Sequence, residues 1–187
     1  MIVPARLDHI APIAGHMRAA DRRECVGKSP ESALRISLLS SLWAMTVLIE
    51  GTPQAMFGVS PVNMMQSIGS PWMLATDLAY DYPRLWLKYT TLFVHEMHST
   101  FNRLENCVSV DNDRAISFLK HFGFKIGVGA VDIGGVTFTR FERVQPSTSD
   151  CGERGDNDGR AGLFGDGSVE PSQIRPEDRQ AEYPACA

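Results

Sequence analysis

Residues 108–127 read VSVDNDRAISFLKHFGFKIG. The β-branched run around Val108 and Val110 breaks at Asp111-Asn112-Asp113. A short polar side chain at such a break caps a helix, because its oxygen accepts from N–H groups that have no partner within the helix. Ala115, Phe118, Leu119 and Phe122 then recur at helical spacing, giving one apolar stripe that must face a packed surface. Gly123 supplies the left-handed residue that ends the helix, and Phe124 opens a return strand. The stretch reads as a capped strand–helix–strand corner with its helix docked on a sheet.

Working outward, the elements alternate. Residues 1–5 read as a first strand, and Ile10, Ile13, Met17 and Ala20 predict a helix over residues 9–25. Ser29-Pro30-Glu31 places a cap before a proline at the first helical position, opening a second helix that runs to about Ser40. LWAMTVLIE and QAMFGVSP predict a hairpin joined at Gly51-Thr52-Pro53. A loop over residues 66–70 leads to PWMLATDLA, a third strand that would carry Asp77. Asp81-Tyr82-Pro83 opens a long helix to about Phe101, with Asp81 at the cap. RLENCVSV is the strand before the opening corner, and KIGVGAVDI and VTFTRFERV close the domain as a hairpin over Gly134-Gly135. The order β-α-α-β-β-β-α-β-α-β-β predicts an α/β (α+β) domain whose sheet mixes antiparallel hairpins with at least one crossover.

Composition bounds the function classes. The chain has 187 residues, 43% of them apolar and 21% charged, which suffices for one real core. Residues 1–144 carry 14 Lys and Arg against 13 Asp and Glu, so no basic face is available for duplex nucleic acid and none is expected as a partner. Residues 145–187 carry 4 against 9 and hold six glycines and four prolines. That composition buries too little surface to offset its ordering entropy, so 1–144 is expected to fold and 145–187 to be an acidic, Gly/Pro-rich disordered tail. Leu163-Phe164 or Ile174 would anchor it if it docks on a partner. No stretch approaches the roughly 20 apolar residues of a membrane helix. The N-terminus lacks the pattern of a secretion signal. Cys25, Cys107, Cys151 and Cys186 are dispersed, which suits reduced thiols in a cytoplasm rather than a zinc knot. His95-Glu96-x-His98 has the wrong spacing for a zincin pair and reads as a solvated helix face; no metal is expected.

The pattern N-x-x-A-I-x-F-x-x-x-x-G-F at Asn112–Phe124, in this element order, resembles the last helix motif of the GNAT superfamily of acyl-CoA N-acyltransferases. MRAADRREC, QAMFGVSP, GSPWMLATDL and LENCVSVDNDRAISFLKHFGF also resemble a GNAT-like family of tailed-phage proteins, internal virion protein A; the similarity spans about residues 5–143. The first resemblance implies a mixed, mostly antiparallel central sheet with helices on both faces, and acetyl-CoA as cofactor. The second implies residence in the host cytoplasm or virion interior, and a role in virion assembly.

An N-acyltransferase must hold the pyrophosphate of its cofactor, deprotonate an amine and reprotonate a thiolate. The superfamily meets the first need with a Gly-rich loop at the start of its central helix, where bare N–H groups and the helix dipole face the phosphates. The corresponding DLAYDYPRLWLKYT has no glycine. The resemblance leaves Leu78, Arg84, Leu85 and Trp86 as candidate cofactor contacts there, with Asn112 reaching a pantetheine amide or simply capping its helix. Asp77 is the candidate base. The tyrosine that often serves as acid falls at Leu119, which has no proton to give; His121 and Tyr89 are the neighbouring candidates. The alternative function is a non-catalytic internal virion or assembly protein on the same scaffold.

Overall fold

The computed structural model describes residues 1–145; the expected tail, with its anchors Leu163-Phe164 and Ile174, lies outside them. Seven strands form one sheet: β1 (Ile2–Pro4), β2 (Trp43–Ile49), β3 (Thr52–Asn63), β4 (Ile68–Ala75), β5 (Arg103–Ser109), β6 (Lys125–Ile133) and β7 (Val136–Val144). Their order is β1-β2-β3-β4-β5-β7-β6. Every pairing is antiparallel except β4 with β5.

The helices are α1 (Ile10–Gly15), α2 (Ala19–Glu24), α3 (Pro30–Ser40), α4 (Pro83–Thr100) and α5 (Asp113–His121). Side chains alternate across a strand, and β3 shows which helix covers which face. Met56 packs with Ile10, Ile13 and Leu34 of α1 and α3. Ala55 and Phe57 pack with Trp86, and Val59 packs with Val94 and Met97, all from α4. Helix α5 joins the α4 face through Ala115, Ile116, Phe118 and Leu119. The expected sheet with helices on both faces is the observed architecture.

The opening corner forms as its residues dictate. Asn112 Oδ1 accepts from the Ala115 N–H at 3.3 Å. Gly123 has φ +80°, while the Phe124 and Gly123 N–H groups donate to the Leu119 and Lys120 carbonyls, the paired bonds of a Schellman ending. Strand β6 then returns to the far side of β7, so β5-α5-β6 is a crossover with β7 between its strands.

Four local expectations are corrected. The helix over residues 9–25 is two short helices, because the chain between them pairs with β4: Met17 bridges Thr76, and the Arg18 N–H donates to the Ala75 carbonyl at 3.0 Å. The first hairpin turns over Glu50-Gly51, both at positive φ, so that Thr52 and Pro53 already belong to β3. Strand β4 begins at Ile68, inside the expected loop, and ends at Ala75. Asp77 therefore sits in a 3-10 turn over Asp77–Asp81 rather than on a strand, and Tyr82, not Asp81, occupies the α4 cap.

Candidate functional site

The one parallel pairing in the sheet is also its shortest ladder. Strands β4 and β5 pair only at Ile68 with Arg103 and Gly69 with Leu104. Phe101, fully buried, closes the base of the seam against Gly69; a Cβ added at Gly69 would lie 2.6 Å from its ring. One step up, the Asn106 side-chain amide donates to the Pro71 carbonyl at 3.0 Å. Beyond that the strands diverge, and their last N–H groups need other acceptors.

Helix α2 supplies them. Asp21 and Glu24, one helical turn apart, face inward together. Asp21 Oδ2 accepts from the Ala75 N–H of β4 at 2.9 Å. Glu24 Oε1 accepts from the Ser109 N–H of β5 at 3.1 Å and from Asn112 Nδ2 at 2.8 Å. Arg18 completes the cluster: its guanidinium pairs with Asp21 at 3.3 Å, donates to Asn112 Oδ1 at 3.4 Å, and stacks on the Tyr80 ring at 3.9 Å. Two carboxyls thus span the open ends of two strands. Glu24 Oε2 accepts no hydrogen bond among the described residues.

Below this cluster lies a half-open cavity of about 130 Å³. Asp21, Glu24, Tyr80 and Asn112 line its polar end, and Phe57, Trp86 and Phe118 are among its apolar walls. The three rings meet edge to face, with centroids 6.2 Å apart for Phe57 and Trp86 and 6.5 Å for Trp86 and Phe118. The Trp86 indole N–H donates to the Ala79 carbonyl at 2.8 Å, which ties the start of α4 to the preceding turn.

Burial sets the protonation of this site. Desolvation raises Asp21 to about 7 against the pull of Arg18, and raises Glu24 as well. Desolvation, aided by the Asp21 charge, pushes Tyr80 up to about 12, so its phenol keeps its proton. Asp21 is therefore protonated in the folded chain at pH values where it is ionised when unfolded. Folding takes up a proton across that window, and stability falls as pH rises from about 4 to about 7 and then levels. Urea midpoints of the wild type and Asp21→Asn from pH 5 to 8 check this. The wild type should lose ground to the variant as pH rises to 7; a constant difference would contradict the assignment.

The structure brings together some of the sequence-named residues and disperses others. Asn112, 5% exposed, is both helix cap and cavity wall, and Trp86 is a wall. Arg84, Leu85 and Trp86 occupy the first turn of α4, with Arg84 exposed. Asp77 and Leu78 are exposed on the 3-10 turn and do not line the cavity. Leu119 lines it; Tyr89 and His121 do not. His98 is not on a solvated face: it is buried, its Nδ1–H donating to the Phe101 carbonyl at 3.0 Å, while His95 is exposed. Among the described residues no His, Cys, Asp and Glu cluster suits a metal, and no helix is long and apolar enough to cross a membrane. Arg18, Asp21, Glu24 and Tyr80 are not singled out by the sequence patterns above. Their signal is the inward stripe Ile10, Ile13, Met17, which Asp21 and Glu24 continue at the same spacing.

Comparison with solved structures decides the fold family. A GNAT-family acetyltransferase from Streptococcus pneumoniae superposes with a TM-score of 0.53 at 12% identity, over 77% of this chain and 98% of its own. A ribosomal-protein-alanine N-acetyltransferase from Brucella melitensis gives 0.57 at 12% identity, over 78% and 99%. An N-acetyltransferase from Staphylococcus aureus Mu50 gives 0.55 at 12% identity, over 77% and 97%. The fold is that of the GNAT acetyltransferases. No family model and no curated protein matches the sequence. At this identity the likeness is one of GNAT architecture, and chemistry has to be argued from the site.

Proposed function

We propose that this chain is an acyl-CoA-dependent N-acyltransferase, an N-acetyltransferase using acetyl-CoA, working in the gap between β4 and β5. The observation that carries this reading is Glu24: a buried carboxyl, lining the cavity, with one oxygen anchored to β5 and Asn112 and the other unpartnered among the described residues. A general base needs that combination of fixed orientation, a free lone pair and a raised pKa. Asp21 is the poorer choice, since Ala75 and Arg18 engage both of its oxygens.

The residues present fit the cofactor at its phosphate end. No acidic side chain stands in the first turn of α4, and no side chain caps it, so its N–H groups and the exposed Arg84 are available to phosphates. An apolar cavity of about 150 Å³ is known to take up benzene, so about 130 Å³ admits the small hydrocarbon body of an acceptor. When bound, acetyl-CoA supplies an acetyl group on a thioester; the nitrogen–carbon bond forms as the carbon–sulfur bond breaks. Glu24 takes the proton that the amine gives up. Tyr80, protonated and on the cavity wall, is the proton source for the departing sulfur in place of the family's tyrosine at Leu119. Phe57, Trp86 and Phe118 exclude water from the acceptor's side of the reaction.

Thermal unfolding with acetyl-CoA tests the reading. Ligand at 100 times its dissociation constant should add about 2.7 kcal/mol of stability, and mass spectrometry with amines should then detect an added acetyl group. An unchanged melting temperature at millimolar acetyl-CoA would remove it.

A second reading rests on the absence of glycine before α4 and on Leu119 in place of tyrosine. Here the chain is a non-catalytic scaffold, an internal virion or assembly protein of a tailed phage, acting in the host cytoplasm or inside the particle and contacting virion or host proteins through residues 145–187. Its support is the sequence resemblance over residues 5–143. Detection of the chain in purified particles that lack acetyl-transfer activity would favour it.

A further inference from the structure

Glu24 stands at the head of the cavity with one carboxyl oxygen that meets no hydrogen-bond donor among the described residues. Two buried carboxyls, Asp21 and Glu24, face a single buried guanidinium, Arg18. That guanidinium is spent on Asp21 and Asn112: its Nη1 pairs with Asp21 Oδ1 at 3.3 Å and its Nη2 donates to Asn112 Oδ1. Glu24 therefore has no cation bonded to it there. Arg18 and Arg23 act on Glu24 electrostatically but neither donates a hydrogen bond to it; Arg114 stands 5.7 Å from the Tyr80 ring and is exposed, and the exposed Asp77 adds negative charge. A buried carboxylate whose second oxygen meets no donor is costly and draws in a cation or a proton.

The walls say what kind of cation. The cavity that Glu24 lines is otherwise largely apolar and aromatic, with Phe57, Trp86 and Phe118 among its walls. A second charge or a peptide amide carried into that part would lose its hydration without gaining a partner. A hydrocarbon body would gain from burial, and an ammonium gains further from nearby aromatic rings. The volume of about 130 Å³ limits that body to roughly one small ring or a short branched chain.

We propose that the free oxygen of Glu24 binds the ammonium of a compact, monocationic primary amine, with its hydrocarbon body against Phe57, Trp86 and Phe118. The inference rests on the N-acyltransferase reading in taking this amine as the acyl acceptor, but binding of the amine is separable from transfer. Polyamines and peptide N-termini are excluded as preferred acceptors.

Calorimetry on the full chain at pH 7.5, without acetyl-CoA, tests it with benzylamine, benzyl alcohol, methylammonium and spermidine. Benzylamine should bind about 10-fold or more tighter than each of the others, a difference of one decade in dissociation constant. Glu24→Gln should erase the preference for benzylamine over benzyl alcohol and leave benzyl alcohol binding in place. If that variant does not fold, Ala115→Leu, which fills the cavity from α5, should abolish binding of both ring compounds. Equal or tighter binding of benzyl alcohol or spermidine by the wild type, or no binding of any probe, overturns the proposal. If benzylamine binds as expected but receives no acetyl group from acetyl-CoA, the amine site stands and the acyltransferase reading fails. Acetylation of spermidine or peptides with none of benzylamine overturns the proposed acceptor and leaves the acyltransferase reading in place.

Discussion

Replacing Glu24 with Gln should leave the chain folded and lower the acyl-transfer rate about 10²- to 10⁴-fold, the range a positioned general base contributes. Gln retains an oxygen where Glu24 Oε1 accepts from the Ser109 N–H and Asn112 Nδ2, so the bridge from α2 to β5 survives. What it loses is the ability to take a proton. The deficit should therefore sit in kcat, with a smaller change in KM for acetyl-CoA, whose proposed phosphate contacts lie at the start of α4. Glu24→Ala is a different experiment. It leaves two buried donors without acceptors, at about 1–3 kcal/mol each, and would confound folding with chemistry. Steady-state kinetics of Glu24→Gln beside its circular dichroism and urea midpoint separate the two. Unchanged kcat in a folded variant would remove Glu24 from the mechanism.

The second large effect is structural. Phe101→Ala should cost about 3–5 kcal/mol, the upper range for a buried aromatic side chain, against a total stability of about 5–15 kcal/mol for a domain. Phe101 is fully buried where α4 hands over to β5, and its ring occupies the space that a side chain at Gly69 would need. It packs with Val94, Met97 and Leu104, so its loss opens a cavity where β4 and β5 are still joined. The same truncation at Phe122, only half-buried, should cost distinctly less. Urea unfolding of the two variants side by side measures the contrast. Equal losses would mean that the base of the seam is not the packing centre described.

The fold is legible in the amino-acid sequence because its deciding corner is local: a cap, an apolar stripe and a left-handed glycine fall within twenty residues, and each has a single physical meaning. Asn112 and Gly123 perform the roles their chemistry predicts. The site is less legible because it is assembled across distant segments. Glu24 meets Asn112 across 88 positions, and Asp21 meets Ala75 across 54. On a surface helix those acidic residues would be unremarkable. What the spacing does not show is their destination: Met17 and Arg18 pair with the end of β4, a tertiary event that breaks the helix and sets Asp21 and Glu24 at the ends of β4 and β5. Asp77 misleads for the reciprocal reason. Alternation carries the expected strand past Ala75, where the chain instead leaves the sheet in a 3-10 turn and exposes it.

The most direct test of acetyl-CoA binding between β4 and β5 is amide chemical-shift mapping of the full chain titrated with that ligand. Shifts should concentrate at Ala75, Ser109, Asn112 and Ala115, at the first turn of α4, and at the Trp86 indole, with β1 and α3 unmoved. Saturable shifts confined to another surface, with the N–H groups of Ala75 and Ser109 undisturbed, would contradict it.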